Sequence, residues 1–333
     1  MLSWAGVVLA GLLNGSFAVP LKTTRVWRFN HIWTLHSLLA MGVIPWIVVM
    51  VAVPRWSDLL TRVPLRGWAI LIVWGVLFGI ASLLYGIAVD LLGIALGFAI
   101  QLGLSIVLGA LLPLLWAGAF ELRSRGDWFF VLGLALMVVG VIMCAQAGGS
   151  KGDSDGASSA KRFRLGLMIA IVGGILAPTL NFGIQYGTAL LSKGVETQWK
   201  QGFPAEIYLA WAVFLSSAAV VQAGYCFARV VRERSTRVFG AGMLTRDALQ
   251  VPAMSLLWIS SVFLYGRGAY GLGPLGNSFG WPVFVALIIL TSNAWGVLLA
   301  EWRQATMAAF YRMLAGSVVL VAAAFLIGQS KRG

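Results

Sequence analysis

The sequence predicts an all-α polytopic membrane protein, with ten transmembrane helices in two inverted five-helix repeats. Three observations predict it. The 333 residues are 60% hydrophobic and 11% charged, with a mean hydropathy of +0.90. A soluble domain is about 45–50% apolar and about 25% charged, so this chain has too little polar material to cover a surface facing water. Ten apolar segments approach or exceed the roughly 20 residues that a helix needs to cross a hydrocarbon core of about 30 Å. The least hydrophobic stretch, Gly148–Arg164 (GGSKGDSDGASSAKRFR), has five such segments before it and five after it. A half with an odd number of crossings ends on the side opposite to its start, so the second half must sit inverted relative to the first, as in many secondary transporters.

In chain order the segments lie near 2–21, 31–53, 67–89, 93–120, 128–147, 165–191, 205–228, 248–270, 276–299 and 305–328. Residues 1–147 make the first repeat, 148–164 a cytoplasmic polar linker and 165–333 the second repeat. The first segment has no basic residues before it, and Lys22, Arg25 and Arg28 follow it, so it reads as a retained helix and not a signal peptide. Most connections are short, and several are marked by Pro or Gly with Arg, as at Pro54-Arg55 and Arg66-Gly67, and Asp90 sits in a tight turn between the third and fourth segments. No loop can hold a soluble catalytic or signalling domain.

The net charge of +13 does not point to nucleic acid, because the 24 Lys and Arg fall almost entirely between the apolar segments, where they meet lipid phosphates and set orientation. With both termini periplasmic, fourteen of them lie on the inner side, including the runs in 151–164 and 229–246. The duplication itself is visible in residues. Glu121-Leu-Arg123 and Glu301-Trp-Arg303 end the fourth and ninth segments 180 positions apart, and the first and sixth segments share a Gly-rich pattern with Asn and Pro, GLLNGSFAVP against GGILAPTLNFG.

No enzymatic constellation is present: there is no P-loop, no HExxH and no Cys pair with zinc spacing, so neither a cofactor nor a metal is expected. Two overlapping GxGxxG matches at 266–276 join two membrane segments, not a strand to a helix, and read as a turn with close backbones. Cys144 and Cys226 read as buried reduced thiols. What remains is a polar inventory inside the helices, where each such side chain must bond a neighbour or face a water-filled path. Asn181, Gln185 and Thr188 share a face of the sixth segment, Asn14 and Phe17 one of the first, Gln101 and Ser105 one of the fourth, and Trp258, Ser261 and Tyr265 one of the eighth. Asn277, Trp281 and Asn293 belong to the ninth. Amides, hydroxyls and rings together suit a neutral polyol, although the same groups also cement helix to helix. Acids are scarce: Glu121, Glu206 and Glu301 lie at helix ends, and His36, about one turn inside the second segment, is a candidate proton carrier because an unperturbed imidazole titrates near neutrality, with interfacial packing as its other role. Glycine pairs at Gly75/Gly79, Gly93/Gly97 and Gly183/Gly187 support close helix packing.

Three stretches carry a resemblance: GLLNGSFAVPLK with the following Trp27 and Trp33, WGVLFGIASLLYGIAVDLLGIALGFAIQLGLS, and LTSNAWGVLLAEW. They resemble the L-rhamnose/proton symporter family, part of the drug/metabolite transporter superfamily, whose members have ten helices in two inverted halves. The resemblance implies a proton-driven importer of a deoxyhexose in the inner membrane, with L-rhamnose the first candidate, membrane lipid as its surroundings and a homodimer compatible with it. The departure is that no carboxylate matches a proton site, and the superfamily's better-known members keep both termini in the cytoplasm, against the charge count. The expected sugar contacts are Asn14, Gln101, Asn181, Gln185, Tyr265 and Asn293, with Trp211, Trp258 and Trp281 as stacking surfaces. Glu301 and then His36 are the proton-coupling candidates. The alternatives are a drug or metabolite exporter of the same fold and a sugar or glycoside carrier of another specificity.

Overall fold

The computed structural model describes residues 2–118, 122–149, 160–192, 204–273 and 276–330. Among these residues all regular structure is helical. In chain order the helices are α1 (Leu2–Ser16), α2 (Phe29–His36), α3 (Ile44–Ala52), α4 (Trp56–Arg62), α5 (Leu65–Trp116), α6 (Arg125–Gly149), α7 (Ala160–Leu176), α8 (Thr179–Ser192), α9 (Ile207–Arg232), α10 (Arg237–Met243), α11 (Asp247–Gly271), α12 (Gly276–Leu298) and α13 (Met307–Ser330). Nine stretches among the described residues are long and apolar enough to cross a membrane, and a shorter apolar helix runs over Ile100–Trp116. Together they correspond to the ten segments expected. The middle of the expected linker, 150–159, and Glu121 lie outside the described residues.

Three spans are irregular, two of them at a proline. Span 1 stops at Ser16 and turns through a 3₁₀ piece, Pro20–Thr23, because Pro20 has no amide to continue an α-helix. Span 6 is split into α7 and α8 at Pro178 for the same reason, and Thr179 Oγ1 repairs the break by donating to the Leu176 carbonyl at 2.6 Å. Span 2 joins α2 to α3 through a wider π turn, Ser37–Val43, immediately after His36. Such turns collect at functional sites.

α5 is the largest departure from expectation. Helical turns persist from Leu65 to Trp116, so Asp90 stands within helix and not in a loop. Yet Leu84 and Gln101 both pack against Gly173 of α7. Seventeen residues of straight helix would hold them about 25 Å apart. The chain therefore reverses between them, and its two arms are the third and fourth spans.

Close glycine contacts fix the neighbours. Gly75 and Gly79 of α5 lie on the Phe214 and Ala218 carbonyls of α9, and Gly183 and Gly187 of α8 lie on Phe214 and Ala210 of the same helix. The surroundings of Gly93 lie outside those described. Gly11 and Gly15 of α1 seat Leu287 and Thr291 of α12, Gly268 of α11 sits against Ser3 and Val7 of α1, and Gly133 and Gly140 of α6 receive Ile327 and Leu320 of α13. α1 thus packs on α11 and α12, α7 and α8 on α5, and α6 on α13. Large apolar side chains such as Val51, Trp116, Val220, Leu249 and Phe325 are exposed on the outside, as a lipid-facing surface requires.

Candidate functional site

α11 carries the inward stripe on which the site is built. Met254, Ser255, Trp258, Ser261, Val262 and Tyr265 are all buried, three to four residues apart as one helix face demands. At its centre His36 Nδ1 lies 3.1 Å from Ser255 Oγ. The single hydroxyl proton of Ser255 is already given to the Val251 carbonyl at 2.8 Å. His36 Nδ1 must therefore be the donor, which leaves Nε2 with a free lone pair. Among the described residues nothing bonds to Nε2.

Aromatic rings enclose this imidazole. The centroids of Trp33, Trp258 and Phe17 lie 5.2, 5.9 and 6.0 Å from it, Phe17 and Trp33 are stacked with 7° between their planes, and Phe78 lies 6.5 Å from Trp258 at 16°. One helical turn further along α11, Asn14 Nδ2 donates to Ser261 Oγ at 2.8 Å. His36, Trp258 and Asn14, widely separated in sequence, meet in one aromatic-walled polar cluster.

A second cluster continues from it. Tyr265 Oη donates to Asn181 Oδ1 at 2.6 Å, Asn181 Nδ2 donates to the Gly109 carbonyl at 3.2 Å, and Trp281 Nε1 donates to the Ser105 carbonyl at 3.0 Å. Tyr265 stacks on Phe284 at 4.6 Å. These groups tie α8 to α5 and α11, and α12 to α5. Gln101 borders the same region and is 2% exposed, with neither amide atom bonded among the described residues. Leaving such a group unpartnered costs about 1–3 kcal/mol, so the position favours a ligand or water that completes it. Gln185, one turn beyond Asn181, is half-buried and makes no hydrogen bond to the described residues.

The other expected contacts lie elsewhere. Trp211 is fully buried, donates its indole N–H to the Ile184 carbonyl at 3.4 Å and fills the space beside Gly266. Asn293 donates to Ser317 Oγ at 3.3 Å and to Cys144 Sγ at 3.5 Å, toward α13 and α6. Glu301 opens a short 3₁₀ turn, Glu301–Gln304, and its side chain lies outside those described. Sequence reasoning passed over Ser255 and Phe78. Both were findable by extending the Trp258–Ser261–Tyr265 face one turn back and by noting that Phe78 and Trp258 stand 180 positions apart.

A family model described as L-rhamnose-proton symport protein matches residues 4–332. The chain belongs to that family. It is similar to the L-rhamnose-proton symporter of Citrobacter koseri, 22% identical over 327 residues that cover 94% of this chain and 93% of the relative. It is also similar to those of Escherichia coli 55989, 22% identical with 94% and 92% covered, and E. coli K12 DH10B, 23% identical with the same coverage. Membership in the symporter family makes the chain a transporter and not an enzyme. The Gly11–Pro20 stretch on which the resemblance first rested is the one that places Asn14 and Phe17 in the His36 cluster.

Proposed function

We propose that the protein imports L-rhamnose, or a 6-deoxyhexose close to it, in symport with protons across the inner membrane. The observation that carries the reading is the His36 cluster: a titratable nitrogen with a free lone pair, walled by three rings, in a chain whose relatives are named L-rhamnose-proton symporters. A deoxyhexose has apolar C–H faces and a methyl group that suit Trp33, Phe17 and Trp258, and hydroxyls that suit the amides of Asn14, Gln101 and Gln185. His36 takes the proton on Nε2, within reach of a sugar hydroxyl, so that proton and sugar occupy one site. Asn181, Tyr265 and Trp281 hold the wall of that site from the neighbouring helices.

Transport follows by alternating access between two inverted repeats. The packing supports this. α1 meets α11 and α12 as span 6 meets both arms of α5, while α6 with α13 and span 2 with α9 are pairs that a two-fold axis maps onto themselves. Leu84-Tyr85-Gly86 and Leu264-Tyr265-Gly266 are 180 positions apart, the same offset as Glu121 and Glu301. The basic loops, carrying Arg25, Arg28, Arg229–Arg237 and Arg246, then face the cytoplasm and both termini the periplasm.

The test is uptake of labelled L-rhamnose into proteoliposomes, with and without an inward proton gradient. Uptake should rise with the gradient and collapse with an uncoupler. Folded protein that takes up no L-rhamnose would overturn the substrate, and uptake indifferent to the gradient would overturn the coupling.

A further inference from the structure

Above the His36 cluster, toward the basic loops, the first connection is clasped to α11 by one carboxylate. Asp247 is 1% exposed and is the sole buried carboxylate among the described residues. Its oxygens accept three successive backbone N–H groups, from Arg25 at 3.0 Å, Val26 at 2.8 Å and Trp27 at 2.7 Å. Among the described residues no Lys or Arg pairs with it, so its charge is balanced by these backbone dipoles, with the Thr245 hydroxyl beside them.

The clasp sets a plug. Trp27 is buried, donates its indole N–H to the Val238 and Phe239 carbonyls at 3.1 and 3.2 Å, and lies so close to Gly242 that a methyl there would overlap its ring. Beside it His31 Nε2 donates to the Ser235 carbonyl at 3.0 Å, and Gln250 bonds Thr23. Trp27 packs with Ile32, Val251 and Met254, and Phe17 and Trp33 touch this group from below. Those two rings also wall His36. From Asp247 to Ser255 is eight residues, about 12 Å of helix. One layer of side chains therefore separates the clasp from the candidate site.

We propose that Asp247 and Trp27 form the gate on this face of the transport path, with Asp247 as the positioning residue that latches it shut. Opening the path breaks the three hydrogen bonds together, because one carboxylate holds all three, and carries Trp27 away from residues 238–242. The carboxylate then meets water, which replaces the lost donors, so the latch opens without leaving a buried charge. The proposal rests on the transport reading given above and assigns the gate of that site.

The test reads accessibility and not transport. In a C144A/C226A chain with Val251→Cys placed in the plug, a membrane-impermeant maleimide is applied without sugar to either face of oriented vesicles. Labelling from the basic-loop face should be slow in this parent chain and about tenfold faster once Asp247→Asn weakens the latch, with labelling from the other face unchanged. Gly242→Ala, which wedges Trp27 outward and leaves the carboxylate intact, should do the same and decides the matter where the Asn variant does not fold. Rates per folded molecule that stay the same in both variants, or a parent chain already labelled rapidly from that face, would overturn the gate and leave Asp247 as a local anchor. A wrong substrate would show instead as failed L-rhamnose uptake by the parent chain, with the labelling result standing.

Discussion

At the scale of single residues, His36 has the chemistry that a coupled carrier needs. A neutral imidazole with Nδ1–H fixed on Ser255 presents its other nitrogen as a base, which is what the proposed coupling asks of it. His36→Gln keeps an amide N–H for Ser255 and removes the titratable nitrogen. L-rhamnose uptake in the variant should no longer respond to an imposed proton gradient, while sugar exchange at equal pH persists. Gradient-driven accumulation equal to the parent's would remove His36 from the coupling. The histidine itself was legible in the sequence as a titratable group in an apolar segment. The pairing with Ser255 was not, because the two lie 219 positions apart and nothing local joins the face of α11 to that of α2. Asp247 was hidden for the same reason: at the first turn of a helix it looks like an ordinary solvated acid until the loop from the other half of the chain closes over it.

At the scale of elements, backbone packing sets the shape of the bundle. Lipid tails are as apolar as leucine, so helices associate by close fit and hydrogen bonds more than by the hydrophobic effect. Gly75 shows the dependence. A methyl there would meet the Phe214 carbonyl and the Ser217 side chain of α9, and a carbonyl on a neighbouring helix cannot turn aside. Gly75→Ala should lower stability by about 1–3 kcal/mol, read as a reduced melting temperature in detergent. Gly86→Ala on the same helix, with nothing within 4 Å of the added carbon, should leave it unchanged or slightly raised. The glycine spacing at 75 and 79 was readable in advance, but its partner helix was not. The fold-back of α5 was readable as a boundary between two apolar segments. That helical turns persist through it depends on contacts with α7, which no local pattern encodes.

At the scale of the whole molecule, the contacts that matter run between the halves. α1 finds its packing partners in α11 and α12, and α7 and α8 find theirs in α5. Asn14 bonds Ser261, Asn181 bonds Gly109, and Phe78 stacks on Trp258. Neither half can bury these faces alone. Residues 1–147 and 165–333 produced as separate chains should therefore assemble into an active carrier when made together, and each should be degraded when made singly. A half that accumulates as a stable, folded unit by itself would contradict the interlocked arrangement.

By itself the sequence determined that this is a membrane protein, how many apolar segments it has and which polar groups they carry. Those properties follow from composition, length and helical periodicity, which are local. Only the tertiary structure decided which polar groups meet: His36 with Ser255 and Trp258, Asn14 with Ser261, Asn181 with Tyr265, and Asp247 with the backbone of residues 25–27. The physical reason is that a buried polar side chain in a bilayer must find a partner, yet any of several helices could supply it. The choice is made by which backbones approach closely enough, and that depends on the whole bundle at once.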